Sequence, residues 1–204
     1  MKVRLFESTI GKEEIAAVVK VMRSGRLTAG EKVREFERAW ERRLKRHCVM
    51  VNSGSSANLL MIAALVEQRV LKRGDEVIVP ALAWPTTIWP LVQHGLIPVF
   101  VDVLPATFTL DPRQVERAVT PKTKAVLALH TYGRPCGMQE LQQLCQKHRL
   151  FLLEDACEAI DAPFGTWGRM GTYSFYFSHH MTTGEGGLVM CRNATEAAVV
   201  RMLR

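Results

Sequence analysis

The sequence predicts an α/β domain with helices on both faces of a mostly parallel central sheet. Five short apolar and β-branched segments are strand candidates, at residues 49–51, 76–79, 97–101, 125–129 and 150–153. Helical segments lie between several of them, and this alternation favours parallel strands joined by crossover helices. Of the 204 residues, 48% are hydrophobic, which is enough for one sizeable core.

Apolar residues at helical spacing predict the helices. Residues 13–23 carry such a pattern and are followed by Ser24 and Gly25, which end a helix. The other predicted helices are residues 31–45, 59–71, 89–94, 112–119, 138–148 and a last helix that starts at residue 195.

The last part of the chain changes character. Its predicted elements are a glycine-rich loop or hairpin at 165–171, an aromatic strand at 173–177, a turn at 184–187 and a final strand at 188–191. No internal repeat or linker interrupts the pattern, so residues 1–204 are predicted to form one domain.

Composition excludes several classes of protein. Charged residues make up 23%, as in globular domains, and the longest apolar run, residues 59–66, is too short to span a bilayer. The N-terminus has no apolar segment of a signal peptide. Five scattered cysteines without a C-x-x-C motif predict neither a disulfide framework nor a metal cage. We therefore expect a soluble cytoplasmic protein with no membrane partner.

The net charge of +7 suits an anionic partner, either nucleic acid or a phosphorylated small molecule. Much of the excess lies in predicted helix 31–45, where basic and acidic residues alternate. Such alternation is typical of a helix face that contacts solvent or another subunit. No basic patch is interleaved with aromatic residues, so no nucleic-acid partner is expected.

A turn of small residues follows the strand candidate 49–51. Gly54 permits a tight turn there, and the small side chains of Ser55, Ser56 and Ala57 let backbone amides point outward. Because a helix N-terminus favours anions, one interpretation is a phosphate site. The other is an ordinary turn whose serines cap the helix.

Two further candidates follow predicted strands. Asp155 comes just after residues 150–153, at the end of a strand where open α/β sheets bind ligands. A carboxylate there can hold a protonated ring nitrogen, or it can cap a helix. Trp84 follows residues 76–79, and it can stack on a planar cofactor or fill the core.

Residues 174–187 are the most informative segment. His179 and His180 precede a run of threonines and glycines, which indicates an unusual backbone that presents side chains. Neighbouring strand residues point to opposite faces, so two adjacent histidines are poorly placed to bind one metal ion. A single histidine acting as a general acid or base is the favoured interpretation, and no metal is expected.

Together these segments resemble the StrS/DegT nucleotide-sugar aminotransferases, a family of pyridoxal-phosphate enzymes with fold type I. The matching segments are residues 26–30, 36–37, 51–58, 74–80, 84 and 154–159. The resemblance implies that the turn at 54–57 and Ser174 hold the cofactor phosphate. It also implies that Trp84 stacks on the pyridine ring and that Asp155 pairs with the ring nitrogen.

Other positions have weaker assignments. Glu158 lies where the family has Gln, His or Glu at the cofactor, and Thr28 lies in the segment that resembles the N-terminal part of the sugar pocket. His180 is assigned to the substrate side or to a structural role.

The sequence departs from the aminotransferases at one position. Their lysine lies five residues after the serine that corresponds to Ser174, and here this residue is His179. An imidazole cannot form the covalent imine that a primary amine forms with pyridoxal phosphate. No lysine falls within residues 174–187. This pattern resembles the 3-dehydratase branch of the family, which acts on nucleotide-linked 4-keto-6-deoxy hexoses.

The resemblance implies a 3-dehydratase of deoxysugar and lipopolysaccharide biosynthesis. Its cofactor is pyridoxamine 5′-phosphate or pyridoxal 5′-phosphate, His179 is the base, and Asp155 keeps the pyridine nitrogen protonated. The expected partners are a nucleotide-linked 4-keto-6-deoxy sugar and, in the full-length protein, a second copy in a homodimer.

Members of the family are longer and carry a small C-terminal domain. Residues 1–204 are therefore expected to be the cofactor-binding large domain, with the small domain absent. An iron–sulfur cluster is expected only if a C-terminal part supplies its ligands. Two alternative functions stay open: a nucleotide-sugar aminotransferase with a lysine-free site, and an inactive fragment or interaction subunit.

Overall fold

A computed structural model describes residues 6–161 and 163–204 of the chain. Its helices are α1 (Lys12–Ser24), α2 (Glu31–Leu44), α3 (Gly54–Glu67), α4 (Pro85–Gln93), α5 (Pro112–Arg117), α6 (Met138–His148) and α7 (Ala194–Leu203). Its strands are β1 (His47–Val51), β2 (Glu76–Pro80), β3 (Ile97–Val101), β4 (Thr123–Leu129), β5 (Phe151–Asp155), β6 (Met170–Ser174) and β7 (Gly187–Cys191).

The strands form one seven-stranded sheet in the order β1-β7-β6-β5-β4-β2-β3. β7 is antiparallel to both of its neighbours, and the other neighbouring pairs are parallel. The carboxyl ends of β1 to β6 therefore meet the amino end of β7 along one edge of the sheet. We call this the carboxyl edge, and the opposite one the amino edge.

Helices cover both faces of the sheet because its central strands are apolar on both sides. In β4, Ala125 and Leu127 pack into the core formed with α3, α4 and α7. The alternating residues Val126 and Ala128 pack into the core formed with α5 and α6. Such a strand reads as a continuous apolar run, as expected for a parallel sheet that is buried on both faces. The predicted α/β fold is confirmed.

One predicted strand is displaced. The aromatic pattern predicts a strand at 173–177, but β6 ends at Ser174. Tyr176 and Phe177 are about 40% exposed, and the amide of His179 donates to the carbonyl of Tyr176, which turns the chain away from the sheet. Part of the segment predicted as a glycine-rich loop, from Met170 onward, pairs with β5 instead.

Helix α3 starts five residues earlier than its apolar pattern predicts. Ser53 caps it, since its hydroxyl accepts a hydrogen bond from the amide of Ser56 at 3.1 Å. The cap sets the helix N-terminus at Gly54, directly after the end of β1. The apolar pattern alone could not locate this start, because the first turn consists of small polar residues.

Helix α1 has the predicted amphipathic pattern but no buried residue. Its apolar side chains Ile15, Val18, Val19 and Met22 are 40% to 60% exposed. Within residues 6–161 and 163–204, no helix is both long and apolar enough to cross a membrane.

Candidate active site

The small-residue turn lies at the carboxyl edge and starts α3. The first backbone amides of a helix have no acceptor within it, so those of Gly54 and Ser55 are directed outward from the helix end. A Cβ atom built on Gly54 would lie 2.6 Å from Cβ and 2.9 Å from Oγ of Ser174. Only glycine fits between α3 and the end of β6, and this fit brings the Ser174 hydroxyl beside the helix N-terminus.

A second close contact, between Gly187 and the backbone of Ser53, lies at the same edge of the sheet. Gly187, the first residue of β7, is the register partner of Ser174. A Cβ atom on Gly187 would lie 2.1 Å from the carbonyl oxygen of Ser53. The ends of β1, β6 and β7 are thus held in backbone contact, which places the capped helix start and Ser174 in one site.

Asp155 ends β5 and is almost fully buried, with 2% of its surface exposed. Its Oδ2 atom accepts hydrogen bonds from the Asn58 amide at 2.8 Å and from the Thr87 hydroxyl at 2.7 Å. Its Oδ1 atom accepts one from the backbone amide of Cys157 at 3.0 Å. The Asn58 carbonyl oxygen in turn accepts from the Thr172 hydroxyl at 2.7 Å.

This network determines which acceptor position stays open. Each carboxylate oxygen has about two lone-pair positions, and both positions of Oδ2 are taken by Asn58 and Thr87. Oδ1 accepts one hydrogen bond from the Cys157 amide, and the thiol of the same residue also interacts with the carboxylate. Because both positions of Oδ2 are occupied, Oδ1 is the atom at which Asp155 can accept a further N–H donor. The residues after Asp155 form a turn and not a helix, so its interpretation as a helix cap is wrong.

Trp84 lies beside this network but is not part of the core. It is the N-cap residue of α4, its carbonyl accepts the amide of Thr87 at 3.0 Å, and its side chain is 72% exposed. The interpretation of Trp84 as a core residue is therefore wrong. The N-terminus of α4 thus presents the exposed indole of Trp84 and, one turn later, the Thr87 hydroxyl that donates to Asp155.

Cys157 lies between the two parts of the site. Its sulfur lies 3.1 Å from a Cβ atom built on Gly54 and 4.0 Å from the hydroxyl oxygen of Thr172. Burial, followed by the charge of Asp155, raises the pKa of this thiol well above its usual value. Cys157 therefore stays a neutral thiol that fills space beside the turn, since the thiolate is the nucleophilic form.

Glu158 holds the adjoining loop after β4. Its Oε2 atom accepts the backbone amide of Tyr132 at 2.8 Å. Tyr132 has a positive φ of 53° and an exposed ring. Glu158 thus fixes a left-handed backbone position in the loop next to the end of β5.

His179 lies in the connection between β6 and β7, five residues beyond Ser174. Its ring packs edge-on against Tyr176, with centroids 5.7 Å apart. Its Nδ1 atom is enclosed and has no hydrogen-bond partner among the described residues. His180 is exposed, as expected for the next residue on the other side of the backbone. Among the described residues, no three His, Cys, Asp or Glu side chains are grouped as metal ligands.

Two anchors shape this connection. The carbonyl of Phe175 accepts from the amide of Thr183 at 3.1 Å and from the hydroxyl of Thr182 at 3.1 Å. The amide of Phe175 donates to the carbonyl of Gly186 at 2.8 Å. The connection is thereby closed at its base, and His179 lies in its outer part.

Thr28 is exposed in the connection between α1 and α2. No hydrogen bond of the described residues joins it to the site above. Sequence reasoning missed Asn58, Thr87, Thr172 and Cys157. Their signal is weak because a buried polar residue on an apolar helix or strand shows its partner only after folding.

Comparisons with known proteins identify the family. The model of the DegT/DnrJ/EryC1/StrS aminotransferase family matches residues 8–204. The chain is 42% identical over 194 residues to GDP-4-keto-6-deoxy-D-mannose 3-dehydratase from Yersinia pseudotuberculosis, which covers 91% of this chain and 49% of that protein. It is 39% identical over 207 residues to dTDP-4-dehydro-2,6-dideoxy-D-glucose 3-dehydratase from Saccharopolyspora spinosa, which covers 97% of this chain and 45% of that protein.

A solved structure agrees with these relatives. The structure of E. coli GDP-4-keto-6-deoxy-D-mannose-3-dehydratase with bound hydrated PLP matches 100% of this chain and 55% of that chain, with a TM-score of 0.95 and 39% identity. The chain spans about half the length of the relatives it matches. The predicted resemblance is confirmed, and the chain belongs to the DegT/DnrJ/EryC1/StrS aminotransferase family.

Proposed function

We propose that the protein is a 3-dehydratase of a nucleotide-linked 4-keto-6-deoxy hexose and uses pyridoxamine 5′-phosphate or pyridoxal 5′-phosphate. The observation that carries this proposal is His179. It follows β6 at the position where the StrS/DegT aminotransferases have lysine. No lysine lies between Lys147 and Arg204, so none is close in sequence to this position. Two relatives named as 3-dehydratases of such sugars support it.

The residues at the carboxyl edge fit the cofactor. The outward amides at Gly54 and Ser55, with the Ser174 hydroxyl beside them, suit a phosphate group. The open acceptor position on Oδ1 of Asp155 suits the N–H of a protonated pyridine ring. The exposed indole of Trp84 suits a stacked aromatic ring. We further propose that Ser56, Ala57 and Glu158 line the same site.

When bound, pyridoxamine phosphate supplies an amine that condenses with the 4-keto group of the sugar and a ring that accepts electrons. Asp155 keeps the ring nitrogen protonated, so that the ring can accept the electron pair. Asn58 and Thr87 prevent the carboxylate from rotating by occupying Oδ2. The helix N-terminus and Ser174 fix the phosphate end and thereby the orientation of the ring.

His179 acts as the base. Neutral imidazole can take up a proton, and because the Nδ1 atom of His179 is buried, the proton would be taken up at Nε2. His179 would take the proton from the carbon that carries the cofactor amine, and the cofactor would supply the path for the electrons that release the C3 hydroxyl of the sugar. A lysine at this position would bind pyridoxal phosphate covalently, which histidine cannot do.

Product analysis tests this proposal. We would incubate the full-length protein with pyridoxamine phosphate and a GDP-linked or dTDP-linked 4-keto-6-deoxy hexose, and analyse the sugar by mass spectrometry and NMR. The expected product lacks one oxygen atom and has a CH₂ group at C3. A 4-amino sugar that retains its C3 hydroxyl would contradict the dehydratase proposal and support an aminotransferase. No change in the sugar would support an inactive protein.

Borohydride reduction supplies an independent control. With pyridoxal phosphate bound, peptide mass analysis of the reduced wild-type protein is expected to show no pyridoxyl-lysine. The matched variant His179→Lys is expected to show the adduct at residue 179. A specific adduct on another lysine of the wild-type protein would contradict the assignment of a lysine-free site.

We also propose that the full-length protein is a homodimer. The exposed apolar face of α1 supports a contact with another chain, since contiguous apolar surface of this kind marks interaction sites. Light scattering of the purified full-length protein is expected to give twice the mass of one chain, and the mass of one chain would contradict the proposal.

A further inference from the structure

A cavity at the amino edge of the sheet is lined by three arginines from adjacent strands. Arg46 directly precedes β1, Arg192 directly follows β7, and Arg169 directly precedes β6. Cys191 at the end of β7 pairs with His47 of β1 and with Met170 of β6. Since neighbouring strands lie about 4.8 Å apart, this register places the three arginines in one row.

The row faces a cavity of about 580 Å³, a volume typical of sites for small molecules. The amides of Gln142 and Gln146 on α6 line it, together with the ring of Trp167. Among the described residues, no acidic side chain lines this cavity. The wall thus offers cationic residues, two glutamines and the aromatic residues Phe151 and Trp167.

The two carboxylates whose charges act on Arg46 are buried and already bonded. Glu196 is 1% exposed, and its two oxygens accept from Arg169 Nε at 2.8 Å and from the backbone amide of Arg192 at 2.9 Å. Glu154 is fully buried, and it accepts from the amides of Gly165 and Gly168. Glu196 is thus paired with Arg169, Glu154 is also bonded to His130, and neither carboxylate lines the cavity.

Two of the guanidinium groups are held in place. Arg46 donates to the carbonyl of Gly168 at 3.0 Å, and Arg169 lies 4.9 Å from the centre of the Phe151 ring. Arg46 and Arg192 flank the paired residues His47 and Cys191, so the register places these two arginines side by side. Burial lowers the pKa of Arg46, the charge of Glu154 raises it, and the charge of Arg192 lowers it. An anion between the two guanidinium groups would relieve the repulsion between their like charges.

We propose that this cavity is a binding site for an organic phosphate or pyrophosphate, separate from the site at the carboxyl edge. Guanidinium groups form paired hydrogen bonds with phosphate oxygens, and three of them in a row suit a group with several negative oxygens better than a single carboxylate. Trp167 provides a surface for the organic part. The site does not depend on the function proposed above, because it lies on the opposite edge of the sheet.

The test uses inorganic pyrophosphate as the ligand and a fluorine label on Trp167 as the reporter of binding. We would label the full-length protein with 5-fluorotryptophan, saturate it with pyridoxamine phosphate, and record ¹⁹F NMR spectra at constant ionic strength. The variant Trp167→Phe assigns the resonance. Pyrophosphate is expected to shift the Trp167 signal in a saturable manner. A shift that does not saturate, or no shift, would overturn the proposal.

Two arginine variants supply the matched comparison. Arg192 has an exposed side chain at the cavity rim, so Arg192→Gln is expected to fold normally and to weaken pyrophosphate binding about tenfold, as for the loss of one charged hydrogen bond. Arg113→Gln removes an equally exposed arginine from α5 and is expected to leave the affinity unchanged. Equal affinities in the two variants would overturn the proposal.

Discussion

Asp155 and His179 contrast two ways of placing a functional side chain at the same edge of the sheet. Asp155 ends a central strand, is buried, and accepts three hydrogen bonds from three different elements of structure. His179 lies in a connection that is anchored at its base, is half-buried, and has an Nδ1 atom without a partner in the described residues.

The contrast matches the two roles proposed for these residues. A group that holds a charge against a bound ring is most effective when its position is fixed before binding, because no reorganisation is then required. A base must exchange a proton with the substrate, so its reacting nitrogen must be accessible, and for His179 this is Nε2 because Nδ1 is buried. Variants of each region test whether this division of roles holds.

The largest effect is expected from His179→Asn. Removal of the base should lower turnover about 10²–10⁴-fold, while affinity for the cofactor changes little, because Asn cannot accept the proton. The matched control is His47→Asn at the amino end of β1, which should keep full turnover. Turnover in His179→Asn near that of the control would show that another group is the base.

Asp155→Asn should have the next largest effect. The amide removes the negative charge and points an N–H group towards existing donors, so turnover should fall about 100-fold and the absorbance of the bound cofactor should change. Asp102→Asn, an exposed carboxylate after β3, is the control. An unchanged cofactor spectrum in Asp155→Asn would contradict the placement of the ring nitrogen at this residue.

Thr87→Val tests whether the hydrogen bonds around Asp155 hold its carboxylate in place, as the comparison with His179 assumes. The change keeps the side-chain shape but removes one donor to a buried carboxylate, so the free energy of unfolding should fall by about 1.5–3 kcal/mol. Urea denaturation measures it. Thr195→Val in the exposed first turn of α7 serves as the control. Equal stability of both variants would mean that the hydrogen bond from Thr87 to Oδ2 of Asp155 does not stabilise the fold.

Gly54→Ala tests the close approach of α3 to β6. The new methyl group would lie too near Ser174, so stability should fall by about 1–3 kcal/mol, and cofactor affinity should fall with it. Gly11→Ala at the start of α1 is the control for cofactor affinity, since its methyl group would meet only the flexible end of Glu14. Cofactor affinity should be unchanged there, although loss of an N-cap glycine lowers helix stability. Unchanged cofactor affinity in Gly54→Ala would contradict the phosphate site.

The sequence predicted the strand at 125–129 well and the strand at 173–177 poorly, for one physical reason. Residues 125–129 are apolar on both faces, which few structures other than a buried parallel strand require. Residues 173–177 are rich in aromatic side chains, but Tyr176 and Phe177 leave the sheet at a turn, and aromatic content alone does not show where pairing ends.

The sequence by itself determined the fold class, the glycine turn, Asp155 at a strand end, and a histidine where the family has lysine. These features are local, because a turn, a strand end or a replaced residue needs no distant partner to be seen. Tertiary structure decided that Asn58, Thr87 and Thr172 join Asp155 and that Trp84 stays exposed. It also decided that arginines distant in sequence line one cavity. Those facts depend on strand order and register, and the chemistry of single residues does not encode either.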